Sequence, residues 1–266
     1  MERKLKSGKT KMTEKYDLEK IKNSVICGDA LTELKKLPDV CVDMILCDLP
    51  YGTTACAWDT IISFEPLWEQ YKRIIKDNGA IVLTASQPFT SALVMSNIKM
   101  FKYEWIWDKK VGSGFLNANK MPMKNHENIL VFYKKQPIYN KQMRDGLQNH
   151  SKGKPKPVIT NVYGNSNFID NREKLGNKKN PLSIIQFEKI HPSVCIHPTQ
   201  KPVALFEYLI KTYTNEGDLV LDNCIGSGTT AVAAINTGRN FIGIELNKEY
   251  CEIAKKRIAS IPNSLF

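Results

Sequence analysis

Runs of strand-like residues alternate with helix-like segments along most of this chain, and that order admits few folds. Strand-length runs stand at Ser24-Val25-Ile26-Cys27, Val42-Asp43-Met44-Ile45-Leu46-Cys47, Ala80-Ile81-Val82-Leu83-Thr84, Leu219-Val220-Leu221 and Phe241-Ile242-Gly243-Ile244-Glu245. Helix patterns fall between them: Ala30 to Leu37 before the Pro38-Asp39 break, Phe64 to Lys76 before an Asp77-Asn78-Gly79 stop, and a Pro88-opened segment carrying Phe89, Leu93, Val94 and Ile98. Later helices are expected over Pro202 to Tyr213 and Lys248 to Ile258. Two further strands, Tyr103 to Trp107 and Asn128 to Tyr133, have only a loop between them. This alternation predicts an α/β fold: a doubly wound, mainly parallel seven-stranded sheet with an antiparallel edge.

At 266 residues the chain fits one large domain or a domain with an insertion. The pattern dissolves between Lys134 and about Lys189 into Lys, Asn, Gly and Pro with scattered aromatics. A structureless loop of that length is foreign to a compact domain, so this stretch reads as an insertion module. Charge supports the division. The net charge is +11, of which residues 134–190 carry +8 and residues 1–22 carry +4, leaving the body at −1. The expected organisation is therefore a basic N-terminal segment (1–22), a first half (23–133), a basic insertion (134–190) and a second half (191–266). A polyanion is the natural partner of such a distribution. Seven cysteines form no CxxC pair, and no apolar run approaches bilayer length, so a cytoplasmic protein without a membrane partner is expected.

Two motifs carry chemistry. Asp48-Leu49-Pro50-Tyr51 ends the second strand and is followed by Gly52. It sets a carboxylate, a backbone carbonyl and an aromatic face at one strand edge, as handling a flat, weakly nucleophilic amine requires. Downstream, Leu219-Val220-Leu221 runs into Asp222-Asn223-Cys224-Ile225-Gly226-Ser227-Gly228-Thr229-Thr230 and then a helix. In a strand, Gly-rich turn, helix arrangement, backbone N–H groups and a helix N-terminus face a nucleotide-like ligand.

Together with His197-Pro198-Thr199-Gln200-Lys201-Pro202 and with Glu245 closing the next strand, these motifs resemble the β-group of DNA amino-methyltransferases. The resemblance implies a class I methyltransferase fold with circularly permuted motif order, since the catalytic motif precedes the cofactor turn. It implies S-adenosyl-L-methionine as cofactor and double-stranded DNA as partner, with the basic insertion as a target-recognition region. Asp48, Leu49, Pro50 and Tyr51 become the catalytic set. Gly226 and Gly228 would let the backbone approach the cofactor, Ser227 and Thr229 would donate to its carboxylate, and Glu245 would take its ribose hydroxyls. Asp48, Asp222 and Thr199 join that cofactor set, and Lys201 is implied near the cofactor carboxylate. Asp29 is implied to accept from the cofactor's adenine; from the residues alone, a helix N-cap before Ala30 remains the alternative.

The chemistry itself is legible. Attack by adenine N6 requires a lone pair that is delocalised into the ring, and acceptors on both N–H bonds favour the pyramidal form. The Asp48 carboxylate and Leu49 carbonyl are the candidates, while Pro50 has no competing N–H and Tyr51 offers a face for an extruded base. Two departures from the family pattern stand out. Leu49 replaces a proline, which loosens the loop, and Asn223-Cys224 replaces a Pro-Phe step, which removes an aromatic contact. Cytosine C5 methylation is excluded, because its thiolate follows a proline and no Pro-Cys dipeptide exists here. His191, Cys195 and His197 fit no common zinc spacing, so no metal is expected. The expected function is adenine N6 methylation of DNA, as in restriction-modification. Cytosine N4 methylation, and a catalytically weak DNA-binding module, are its rivals. A homodimer and a companion nuclease are left open.

Overall fold

The computed structural model describes residues 14–53, 59–147, 176–190 and 200–261, and the backbone of 159–160 and 164–165. The first half runs α1 (Leu18–Ile21), β1 (Ser24–Cys27), α2 (Ala30–Lys36), β2 (Val42–Asp48), α3 (Phe64–Ile74), β3 (Ile75–Ala85), α4 (Phe89–Ser96), β4 (Phe101–Ser113) and β5 (Lys124–Phe132). Four two-residue strands follow, β6 (Arg144–Asp145), β7 (Ile159–Thr160), β8 (Gly164–Asn165) and β9 (Lys178–Lys179). The second half holds β10 (Ile184–Gln186), α5 (Val203–Tyr213), β11 (Leu219–Asp222), α6 (Thr229–Asn236), β12 (Asn240–Glu245) and α7 (Lys248–Ala259). Two compact units result: Met1–Asn140 with Ser183–Phe266, and Lys141–Leu182. Within the smaller unit β6 pairs with β9 and β7 with β8, both antiparallel.

The larger unit is built on one sheet in the order β1-β12-β11-β2-β3-β5-β4-β10. Strands β1, β12, β11, β2 and β3 are mutually parallel, and β5 runs antiparallel to both of its neighbours. Alternation of side chains along each strand builds two apolar layers. Met44 and Leu46 face the layer that holds Leu209, Ala233 and Cys251 of α5 to α7. Ile45 and Cys47 face the layer that holds Leu34, Tyr71 and Leu93 of α2 to α4. Helix α3 shows how the pattern is met: Leu67, Trp68, Tyr71 and Ile74 recur at helical spacing and are all buried.

The doubly wound, mainly parallel sheet is the expected one, with an eighth strand added. Strand β10 pairs in parallel with the β4 edge, Ile185 opposite Trp107, from inside the stretch read as insertion. Three residues with only Ile185 buried leave no periodic signal. The Asp77-Asn78-Gly79 stop also resolves differently. Helix α3 ends at Ile74 and these residues lie within β3, as a bulge between the Val42–Ile75 and Met44–Ala80 pairs. A Cβ on Gly79 would stand 2.7 Å from the Asp43 carbonyl, so glycine permits the close approach. Ile98 falls beyond α4 and is exposed.

The placement that matters is β11 beside β2, with Val220 opposite Met44 and Leu221 opposite Ile45. Both strands point the same way, so the chain after Asp48 and the chain after Asp222 leave the sheet as neighbours at its carboxyl edge. Ligands of open α/β sheets bind at such an edge. One glycine fixes the second of these loops: a Cβ on Gly243 of β12 would collide with Cδ1 of Ile225 in the turn after β11. Gly243→Ala should therefore cost roughly 1–3 kcal/mol of stability by overpacking, measured as a lower urea midpoint at unchanged slope.

Candidate active site

At the carboxyl edge lies a cavity of about 930 Å³ lined by both motifs. That is near the upper end of roughly 300–1,000 Å³ for ligand pockets, room for more than one small molecule. Asp48, Leu49, Pro50 and Tyr51 form one side, and Asp222, Gly226, Ser227, Thr229 and Glu245 form another. Asp29 and Lys201 line it too. Gly228 sits behind the lining as the α6 N-cap, with φ of 86°. His197, Pro198 and Thr199, like the imagined metal ligands His191 and Cys195, lie outside the described residues.

The catalytic motif is held by hydrogen bonds from several elements. Asp48 Oδ1 accepts from the Tyr51 hydroxyl at 2.7 Å and from the Thr84 hydroxyl at the end of β3. Asp48 Oδ2 accepts from Lys201 Nζ at 2.6 Å. The ammonium of Lys201, 6% exposed, also stands 3.5 Å from Glu127 and 5.6 Å from the Tyr51 ring centroid. Glu127 in turn pairs with the buried Lys109 at 3.2 Å. Two carboxylates and two ammonium groups thus form one nearly enclosed network. Burial disfavours the Lys201 charge, but Asp48 and Glu127 outweigh it and hold the amine above its ordinary range, so it stays protonated. Enclosure, then the same two carboxylates, push the Tyr51 phenol well above its usual range, so it remains a donor.

The loop itself is braced by packing. Leu49, expected to loosen it, is 3% exposed and buries its side chain in the α2 to α4 layer. The Tyr51 ring stacks on Phe89 at 5.2 Å and 28°. Beyond the motif, Asp59 accepts from the N–H groups of Gly52 at 2.8 Å and Thr53 at 2.9 Å.

The glycine turn is organised from beneath. Asp222, 3% exposed, accepts from the Cys224 N–H at 3.0 Å and from the Thr230 hydroxyl. Burial pushes its carboxyl up to about 6. Asn223, at the position of the missing proline, accepts from the buried Tyr71 hydroxyl at 2.5 Å. Glu245 accepts from the N–H groups of Gly226 at 2.9 Å and Asn247 at 2.8 Å, fixing the turn to the end of β12. Pairing of Cys27 with Glu245 brings the end of β1 alongside. There Asp29 does cap α2, accepting from the Thr32 N–H at 2.9 Å, while still lining the cavity. Arg257 of α7 donates to Ser227 Oγ at 3.4 Å and Thr229 Oγ1 at 3.3 Å.

A family model described as DNA methylase, for N6 and N4 methyltransferases, matches residues 42–256. The chain belongs to this family of DNA methyltransferases. It is 30% identical over 254 residues to the type II methyltransferase M.HpaI of Haemophilus parainfluenzae, covering 89% of this chain and 74% of that one. It is also 30% identical over 250 residues to the DNA adenine methyltransferase YhdJ of Escherichia coli (strain K12), covering 88% and 82%. Among solved structures, the M1.HpyAVI–SAM complex superposes with a TM-score of 0.58 at 27% identity, over 88% of this chain and 98% of that one.

Methyltransferases of this family use S-adenosylmethionine, and the cavity suits it. The acceptors Asp29 and Glu245 stand at adjacent strand ends and line the cavity, where they could hold an adenine amino group and ribose hydroxyls. The left-handed Gly226 and Gly228 shape the turn that leads into α6, whose own N-terminal N–H groups could receive a carboxylate. Lys201, implied near that carboxylate, has its ammonium on Asp48. Thr84, Glu127, Lys109, Asp59 and Arg257 carry no motif of their own; only the register of β2, β3 and β5 brings the first two beside Asp48.

Removing the cation from this network should leave two carboxylates facing each other. Lys201→Met is expected to lower stability by about 3–5 kcal/mol, and adding Asp48→Asn to restore part of it, in a double-mutant cycle of urea melts. Asp222 gives a pH signature. Its carboxyl is raised in the folded chain, which therefore holds a proton that the unfolded chain releases between about pH 4 and 6. Its contribution to stability falls as pH rises through that window and stays low above it. Asp222→Asn should gain roughly 1–3 kcal/mol relative to wild type between pH 4 and pH 7, compared by unfolding at both ends.

Proposed function

We propose that this DNA methyltransferase methylates adenine N6 in double-stranded DNA by direct transfer, with no covalent enzyme intermediate. The observation that carries the reading is the joining of Asp48 and the glycine turn in one cavity through the β2–β11 pairing. Supporting adenine over cytosine are the Asp at the first motif position, where serine is commoner in cytosine N4 enzymes of the resembled group, and the likeness to a DNA adenine methyltransferase. Cytosine N4 methylation is the second reading, because the matching family spans both amines.

The bound cofactor supplies an electrophilic methyl group on a sulfonium. The protein's own residues prepare the amine. Asp48 and the Leu49 carbonyl accept from its two N–H bonds, and these hydrogen bonds strengthen as the nitrogen becomes tetrahedral and its lone pair localises. As the N–C bond forms the methyl–sulfur bond would break, its electron pair staying on sulfur, and the surplus amine proton would pass to solvent. Lys201, Thr84 and the Tyr51 hydroxyl fix the Asp48 carboxylate, so no reorientation is needed at the moment of transfer. The extruded base packs against Tyr51, which Phe89 holds in place. Asp29 and Glu245 orient the cofactor's nucleoside. The lysine-rich insertion, 134–190, grips the DNA phosphates and contributes to target recognition.

Purified protein given tritiated S-adenosylmethionine and unmethylated DNA should place label in N6-methyladenine after digestion to nucleosides. Label in N4-methylcytosine would instead establish the second reading. Asp48→Ala should abolish transfer while leaving cofactor affinity within about tenfold, because the residue acts mainly on the target amine. Full activity in that variant would remove the mechanism.

A further inference from the structure

The hairpin between β4 and β5 ends in an apolar tip that nothing described covers. Phe115 is 78% and Leu116 94% exposed, with Val111, Met121 and Met123 also exposed around them. The tip is nevertheless ordered by its own backbone. Gly114 takes φ of 89° and accepts from the Asn117 N–H, a 3₁₀ turn spans Phe115–Asn117, and Asn117 accepts from the N–H groups of Lys120 and Met121. Ordered backbone beneath bare apolar side chains marks a contact surface rather than a spacer. Its surroundings state the chemistry of the partner. Between Asp108 of β4 and Glu127 of β5 the sequence holds Lys109, Lys110, Lys120 and Lys124 and no acidic residue. The strand ends that carry the tip also line the cavity, through Lys109, Ser113, Lys124 and Glu127, and Lys124 is tied to Ser86 at the end of β3.

The geometry points to the tip as a wedge: Phe115 and Leu116 enter the base stack beside the target and occupy the space the extruded base leaves. This rests on the DNA-methylating reading above. Apolar side chains inserted between base steps unstack them, and the exposed Lys110 and Lys120 meet the phosphates on either side. A target base already unpaired would make the wedge dispensable.

The full chain is assayed on its own site, found by sequencing modified bases in DNA from expressing cells. Single-turnover methylation with tritiated S-adenosylmethionine is compared on a paired duplex and on a duplex whose target base faces an abasic position. Phe115→Ala/Leu116→Ala should slow the paired duplex about tenfold or more and the abasic one no more than about threefold. With 2-aminopurine at the target, its fluorescence rise on binding paired duplex should shrink likewise. Equal loss on both duplexes, or no loss on either, overturns the wedge. So does a change from dimer to monomer by sedimentation, which would give the tip to a second copy of the chain. Should the double variant fold poorly by circular dichroism, Leu116→Ser carries the same comparison. No label from wild-type protein in any DNA is a separate result, which removes the functional reading and the wedge with it.

Discussion

The parallel pairing of β2 with β11 is the contact on which the remainder of the site depends. It brings two strand ends that lie far apart in sequence, Asp48 and Asp222, to one edge, each carrying a carboxylate. Such an edge accumulates negative charge in a place shielded from water, and the surrounding residues are arranged to contain it. Asp222 is sunk beneath its own turn, where burial raises its carboxyl and the Thr230 hydroxyl and Cys224 N–H satisfy it. Asp48 stays at the surface of the cavity, where Lys201 balances it. The two acids thereby divide the labour, one shaping the glycine turn and the other presenting its carboxylate to the cavity.

That division explains why the site carries more buried charge than stability alone would favour. Isolated buried ion pairs seldom repay their desolvation. Here Lys201 and Lys109 interleave with Asp48 and Glu127, so each charge has an opposite neighbour before any ligand arrives. A preorganised acceptor needs no rearrangement when charge moves in the reaction. Packing supplies the same rigidity on the apolar side, where Leu49 is anchored in the core and Tyr51 leans on Phe89. The substitution of leucine for proline in the motif exchanges a constraint on one dihedral angle for a buried side chain, and the loop remains fixed.

Most of the fold was legible because β-strands of a parallel sheet are buried on both faces and read as continuous apolar runs. What stayed hidden was short or local in cause. Strand β10 has one buried residue, and the β3 bulge depends on Gly79 passing close to a carbonyl of another strand. In the site, Asp48, Tyr51, the glycine turn and Glu245 announced themselves through position at strand ends. Glu127, Lys109 and Thr84 did not, since a polar residue in a strand looks the same whether it meets solvent or a carboxylate. Lys201 was legible as a site residue, but its pairing with Asp48 was not, because the direction of a long side chain follows from the charges around it.

The sequence by itself determined the class of fold, the two loops that matter and the chemical types they present, because strand periodicity, glycine positions and motif order are local properties of the chain. Tertiary structure alone decided which side chains complete the site. Sheet order sets those neighbours, and sheet order is chosen by packing over the whole core: β2 lies between β11 and β3, strands from different halves of the chain, and only that arrangement puts Thr84 and Lys201 on the same carboxylate.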